Sequence, residues 1–140
     1  MRAPQRAHRR SARAEYLLPR EAASAGRARQ LTSLFLDRPR RRVRRVDAER
    51  VDDAALIVSE LVTNAAVHGR SPCRLRVEVS DARVVVEVYD ASPARPRLRP
   101  LTAEGESGRG LAMVRMLAQH FAVTPAAGGG KTVRAVLAAD

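Results

Sequence analysis

The chain has 140 residues, 45% of them hydrophobic, which is enough for one folded unit with a real core and too apolar for a disordered protein. Aromatic residues make up only 3% and tryptophan is absent, so that core must be built from Val, Leu and Ala. The net charge is +11, carried by Arg with Lys131 as the single lysine, but much of it sits in two runs, Met1–Arg13 and Arg38–Arg45; elsewhere acids and bases balance, which excludes a uniformly basic protein.

Residues 1–13 read as a basic, disordered tail, and residues 14–140 as one domain. Ala14 to Pro19 is a short strand that Pro19 stops. Arg20 to Asp37 is helical, with Ala22, Ala25, Ala28, Leu31, Leu34 and Phe35 recurring at three and four. Pro39 ends this helix and the second Arg run follows.

Asp47 is the expected N-cap of a longer helix that stops at Gly69. Val51, Ala54, Ala55, Ile57, Val58, Leu61, Val62 and Ala65 fill one arc of it. Asp53, Glu60 and Asn64 fall just outside the edge of that arc.

Then the period changes to two. Arg74–Val79 and Val84–Asp90 are strands joined by the turn Ser80–Arg83, an antiparallel hairpin. Asp90 shares the parity of Val84, Val86 and Val88, so it points to the core side at the strand end. Ala91–Gly110 has three prolines and no period, the mark of a long loop or lid. A core-facing helix, Leu111–Phe121, carries Leu111, Val114, Leu117 and Ala118 on one side, and a final hairpin closes the chain. The order β-α-α-β-β-loop-α-β-β predicts a two-layer α/β sandwich, with helices on one face of a mixed, mostly antiparallel sheet.

Three groups of residues are candidates for chemistry. Glu60 and Asn64, one helical turn apart, point into the same cleft. An amide oxygen suits Mg²⁺ shared with substrate phosphates, and a nearby carboxylate suits a general base. The structural alternative is an ordinary solvent-facing Glu and a tolerated Asn. Asp90 can accept hydrogen bonds from an exocyclic amino group, or simply start a turn. Gly108 and Gly110 flank Arg109 directly before a helix, where backbone amides can approach an anion; a flexible entry to the helix explains them equally well. The run from Gly128 to Thr132 lacks the upstream glycine and following helix of a P-loop. His8, His68 and His120 are scattered, and Cys73 reads as a buried small hydrophobe.

Taken in order, "ELVTNAAVHG", "VEVYDASP", "SGRGLAMV" and "GGKTVRAVL" resemble the N-box, the two glycine boxes and the closing hairpin of the GHKL (Bergerat-fold) ATPases. Within that family the chain looks like the anti-sigma factor serine/threonine kinases. The resemblance implies ATP and Mg²⁺ as cofactors, Asn64 as the Mg²⁺ ligand, and Glu60 as the general base toward a partner's Ser or Thr hydroxyl or water. It implies Asp90 on the adenine amino group, Gly108 and Gly110 beside the phosphates, and Thr132 helping to hold adenine. The implied partners are a sigma factor and its antagonist protein, and a homodimer is allowed. The first glycine box departs from the pattern: Asp90-Ala91-Ser92-Pro93-Ala94 lacks both glycines.

Two other functions stay open on the sequence. One is an ATP-responsive partner-binding module without kinase activity; the other is a nucleic-acid-binding protein using the Arg runs, although both runs lack aromatics for stacking on bases. A lone cysteine, no apolar run of about 20 residues and no secretory signal lead to the expectation of a cytoplasmic protein with no membrane span.

Overall fold

The computed structural model describes residues 11–41, 43, 45–68, 72–91 and 106–140, the side chains of residues 68 and 106–111 excepted. Along the chain run β1 (Ser11–Leu18), α1 (Ala23–Asp37), α2 (Ala48–His68), β2 (Cys73–Ser80), β3 (Arg83–Asp90), α3 (Glu106–Leu117), β4 (His120–Pro125) and β5 (Lys131–Ala138). The strands form one sheet in the order β1-β2-β3-β5-β4, and each of its four pairings is antiparallel. Helices pack on one face, giving the expected α/β sandwich. The N-terminal tail to residue 10, most of the loop after Ala91 and the stop at Gly69 lie outside the described residues.

α2 is the keystone of the helical layer. All eight residues of its apolar arc are buried, from Val51 to Ala65, and Ile57, Val58 and Val62 are fully enclosed. They pack on the helix-facing rows of the sheet: Leu75, Val77 and Val79, then Val84, Val86 and Val88, then Val133, Ala135 and Leu137. The core is thus made of Val, Leu and Ala, as a chain poor in aromatics requires. Asp47 precedes the helix, and its carbonyl accepts from the amides of Arg50 (2.9 Å) and Val51 (3.0 Å). Its own amide donates to the Ala139 carbonyl (3.1 Å), tying the start of α2 to the end of β5.

α1 faces the core differently from the apolar recurrence. Leu34 is 69% exposed, while the buried row is Ser24, Ala28, Thr32, Phe35 and Leu36. Ser24 can be buried because its hydroxyl donates to the Pro19 carbonyl (2.5 Å). Thr32 has no such outlet: its hydroxyl is buried without a hydrogen-bond partner among the described residues. Replacing this one buried, unpartnered hydroxyl with a methyl group removes its desolvation cost, so Thr32→Val should raise the unfolding free energy by about 1 kcal/mol. A urea melt with unchanged slope and a lower midpoint would contradict this.

The Arg run between α1 and α2 is partly structural. Arg40 donates to the Phe35 carbonyl (2.6 Å) and the Arg38 carbonyl (3.0 Å), and its guanidinium lies 4.2 Å from the centre of the Phe35 ring. α1 has no basic residue in its last turn, so Arg40 reaches back to supply the cation that the negative helix end favours. Partial burial pushes its guanidinium below the usual arginine range. Arg20 does the same service for α2, donating to the Ala66 carbonyl at 3.2 Å.

The open face of the sheet explains how β1 reaches back to Ser11, three residues before the expected strand. β1 pairs with the whole of β2, Ser11 opposite Ser80 and Leu18 opposite Cys73. Across the face, Glu15, Arg76, Glu87 and Arg134 stand in register with alternating sign. Arg76 meets Glu15 at 2.7 Å and holds its carboxyl below the usual range by hydrogen bond and charge. Arg134 approaches Glu87 at 3.7 Å. Such exposed pairs set register more than stability.

Candidate nucleotide site

The site is built where β3 ends and β5 begins. Asp90 is the last residue of β3 and stands opposite Lys131, the first of β5. Both follow the parity of the valines that face the helices, so both side chains enter the layer that α2 occupies. They are nearly sealed, with side chains 2% and 7% exposed, and the Lys131 ammonium lies 3.1 Å from Asp90 Oδ1. Two charges taken from water together are tolerable only when each satisfies the other.

The β4–β5 turn locks this corner. Gly128, Gly129 and Gly130 all have positive φ (85°, 103° and 82°). The Ala126 amide donates to the Gly130 carbonyl and the Gly129 amide to the Ala126 carbonyl, each at 3.1 Å. The Tyr89 hydroxyl donates to the Gly129 carbonyl at 3.3 Å. Gly130 is pressed against the backbone of Asp90 and Ala91, leaving no room for a side chain. The run that superficially resembles a P-loop is therefore a hairpin turn followed by a strand.

Cys73 joins the same neighbourhood from β2. It is a free, buried thiol; burial pushes its pKa up and the negative charge of Asp90 adds to the effect. It is a small hydrophobe in a core position, as its sequence context indicates.

Glu60 and Asn64 lie half-buried at the margin of the α2 stripe, the position that the helical wheel gives them. Their neighbour at that margin, Asp53, accepts from Arg50 at 3.1 Å. Asp90 projects into this same layer between sheet and helix, so the structure brings the carboxylate of β3 and the polar margin of α2 to one side of the sheet.

The remaining candidates fall elsewhere than the sequence suggests. α3 begins at Glu106, so Gly108 and Gly110 stand inside the opening of the helix and not before it. An acid at the first helical position favours this earlier start. The first four amides of a helix have no partner within it, which includes the Gly108 N–H, whereas Gly110 has entered the regular ladder. Thr132 has the opposite parity to Lys131 and lies on the open face, paired with Tyr89 and Thr124. The structure does not bring its side chain to Asp90; the residue that meets Asp90 is Lys131, one position earlier. The signal that could have found it was compositional: Lys131 is the only lysine among 26 basic residues.

A groove of about 550 Å³ runs between α1 and α2, lined by Arg29, Gln30, Ser33, Leu34, Asp52 and Ala55. It contains none of the candidate residues and is separate from the site.

The residues fit an adenine nucleotide. A buried carboxylate at a strand end is an acceptor-only group suited to an amino group, and an amide with a carboxylate one turn away suits a hydrated Mg²⁺ beside phosphates. No group of three or more His, Cys, Asp or Glu that could hold a metal ion converges among the described residues.

An antiparallel sheet with helices on one face defines an α/β sandwich, and in this one polar residues are set between the two layers. The chain belongs to the histidine kinase-like ATPase domain family, which matches residues 18–137. Among solved structures, it is similar to that of the RsbU and RsbW domains of Rv1364c from Mycobacterium tuberculosis, with a TM-score of 0.66 and 19% identity. The match covers 90% of this chain but 31% of that one, so this chain spans about a third of its length. No curated protein matches the sequence.

Proposed function

We propose that the chain binds ATP with Mg²⁺ between α2 and the sheet and acts as a regulatory serine/threonine protein kinase of the anti-sigma type, working in the cytoplasm on an antagonist protein and restraining a sigma factor. The observation that carries the reading is the placement of Asp90, buried at the end of β3 and facing the layer that holds Glu60 and Asn64. The family match supports ATP, and the structural likeness to a chain containing an RsbW domain supports the regulatory role.

Each residue has a defined part. Asp90 accepts from the adenine amino group. Asn64 would hold the Mg²⁺ ion, which would neutralise phosphate charge. Gly108 offers an amide from the opening of α3 to a phosphate oxygen. Glu60 receives the proton of the attacking hydroxyl. MgATP supplies the phosphoryl group, and such transfers depend mainly on positioning and charge neutralisation. No helix among the described residues is long and apolar enough to cross a membrane. The nucleic-acid alternative loses ground because Arg40, from the second Arg run, is engaged on Phe35.

Calorimetric titration tests the reading. Wild type is expected to bind ATP with micromolar affinity in Mg²⁺, and Asn64→Ala to lose about tenfold or more of the Mg²⁺-dependent part while keeping the metal-free part. Equal affinity of wild type and Asn64→Ala in Mg²⁺ would remove Asn64 as the ligand. Absence of binding by folded wild type would remove the nucleotide reading.

A further inference from the structure

Twenty-six basic residues share this chain and Lys131 alone is lysine. It is also a buried basic residue, 5% exposed. The choice is physical: an ammonium is a compact point charge that can sit beside a carboxylate in a small space, whereas the planar fork of arginine needs a wide opening. Here the space is bounded by Gly130, which abuts the Asp90 and Ala91 backbone.

An aspartate carboxyl group rotates freely about its last bond, because that torsion is broad and nearly two-fold. One strong, charge-assisted bond to a single oxygen fixes the plane. Lys131 makes such a bond, 3.1 Å to Asp90 Oδ1. Its own backbone is held by strand pairing with β3 and by the rigid turn from Ala126 to Gly130.

We propose that Lys131 is a positioning residue for base recognition: it pins the Asp90 carboxylate in the orientation that meets the exocyclic amino group of a 6-aminopurine nucleotide. The role deepens the nucleotide reading above and rests on it. Lys131 acts through Asp90, setting the selectivity for the amino group and leaving the grip on sugar and phosphates to other residues.

The test compares ATP with purine riboside triphosphate, which carries hydrogen in place of the 6-amino group. Wild type should prefer ATP by about tenfold, the share of one well-placed hydrogen bond to a charged group. Lys131→Met should bring the preference to within about twofold, with affinity for purine riboside triphosphate unchanged. A merely structural role would weaken both nucleotides together, and that result, or an intact preference, overturns the proposal.

Should Lys131→Met fail to fold, the wild type decides alone. Because the chain has one lysine, ε-¹³C-lysine labelling gives a single side-chain signal from Lys131. Saturating ATP should shift it, and saturating purine riboside triphosphate should leave it near its nucleotide-free position. Identical shifts, or none with ATP bound, overturn the role. Binding of neither nucleotide overturns the nucleotide reading itself. Equal binding of both by wild type removes the Asp90 contact with the amino group while leaving a nucleotide pocket in place.

Discussion

Gly130→Ala is expected to lower the unfolding free energy by about 2–5 kcal/mol, the sum of left-handed backbone strain and forced overpacking. Gly130 has φ +82°, a conformation that an L side chain adopts only with strain. A methyl group there would also collide with the Asp90 carbonyl oxygen and come within 2.9 Å of Ala91 Cα and 3.2 Å of its carbonyl carbon. All three are backbone atoms at the end of β3, so no side chain can swing aside. Relief requires β3 and β5 to part at Asp90 and Lys131, which exposes or separates the buried ion pair. Gly128 and Gly129 supply the control. They share the positive φ but have nothing within 4 Å of an added Cβ, so Ala at either should cost only the backbone strain, about 1–2 kcal/mol. Urea denaturation of the three variants checks the order. If Gly130→Ala were no less stable than Gly129→Ala, the close packing of the turn on β3 would be disproved.

Glu60→Gln carries the largest expected effect on activity: ATP turnover should fall by 10²–10⁴-fold, the usual contribution of a positioned general base. Gln is close in shape and keeps a hydrogen-bonding end, so the half-buried margin of α2 is preserved. ATP affinity should stay within about twofold, because the role proposed for the group is on the attacking hydroxyl and not on the nucleotide. Phosphate release with water as acceptor measures it without knowledge of the natural substrate, and calorimetry on the same variant measures binding. Turnover at the wild-type rate would remove Glu60 from the mechanism. Wild type that binds ATP and never turns it over would favour the partner-binding module, a result to which the glycine-poor sequence after Asp90 would lend a cause.

Much of the fold was legible because it rests on local periodicity. The eight apolar residues of α2 repeat so regularly that their burial and the marginal positions of Glu60 and Asn64 follow from the helical wheel. The alternation in β2 and β3 likewise assigns Asp90 to the core side. α1 was legible only as a helix. Its buried face includes Ser24 and Thr32, and a pattern of apolar residues cannot anticipate that a proline carbonyl satisfies one hydroxyl while the other has no partner among the described residues. The start of β1 at Ser11 was hidden for a different reason: its inward residues there are Ala12 and Ala14, alternating with Ser11, Arg13 and Glu15, and alanine is a weak strand signal that pairing with β2 overrides.

The sequence by itself determined the layers, the motif residues and the side of the sheet on which Asp90 points, because each depends on neighbours a few residues away. The tertiary structure decided what Asp90 meets. Lys131 lies 41 positions along the chain, and it arrives only because β5 pairs beside β3 in a register set by the glycine turn. The same register carries Thr132 to the opposite face, since adjacent strand residues must point apart. Partners across a sheet are fixed by strand order and register, and those are properties of the whole packed chain.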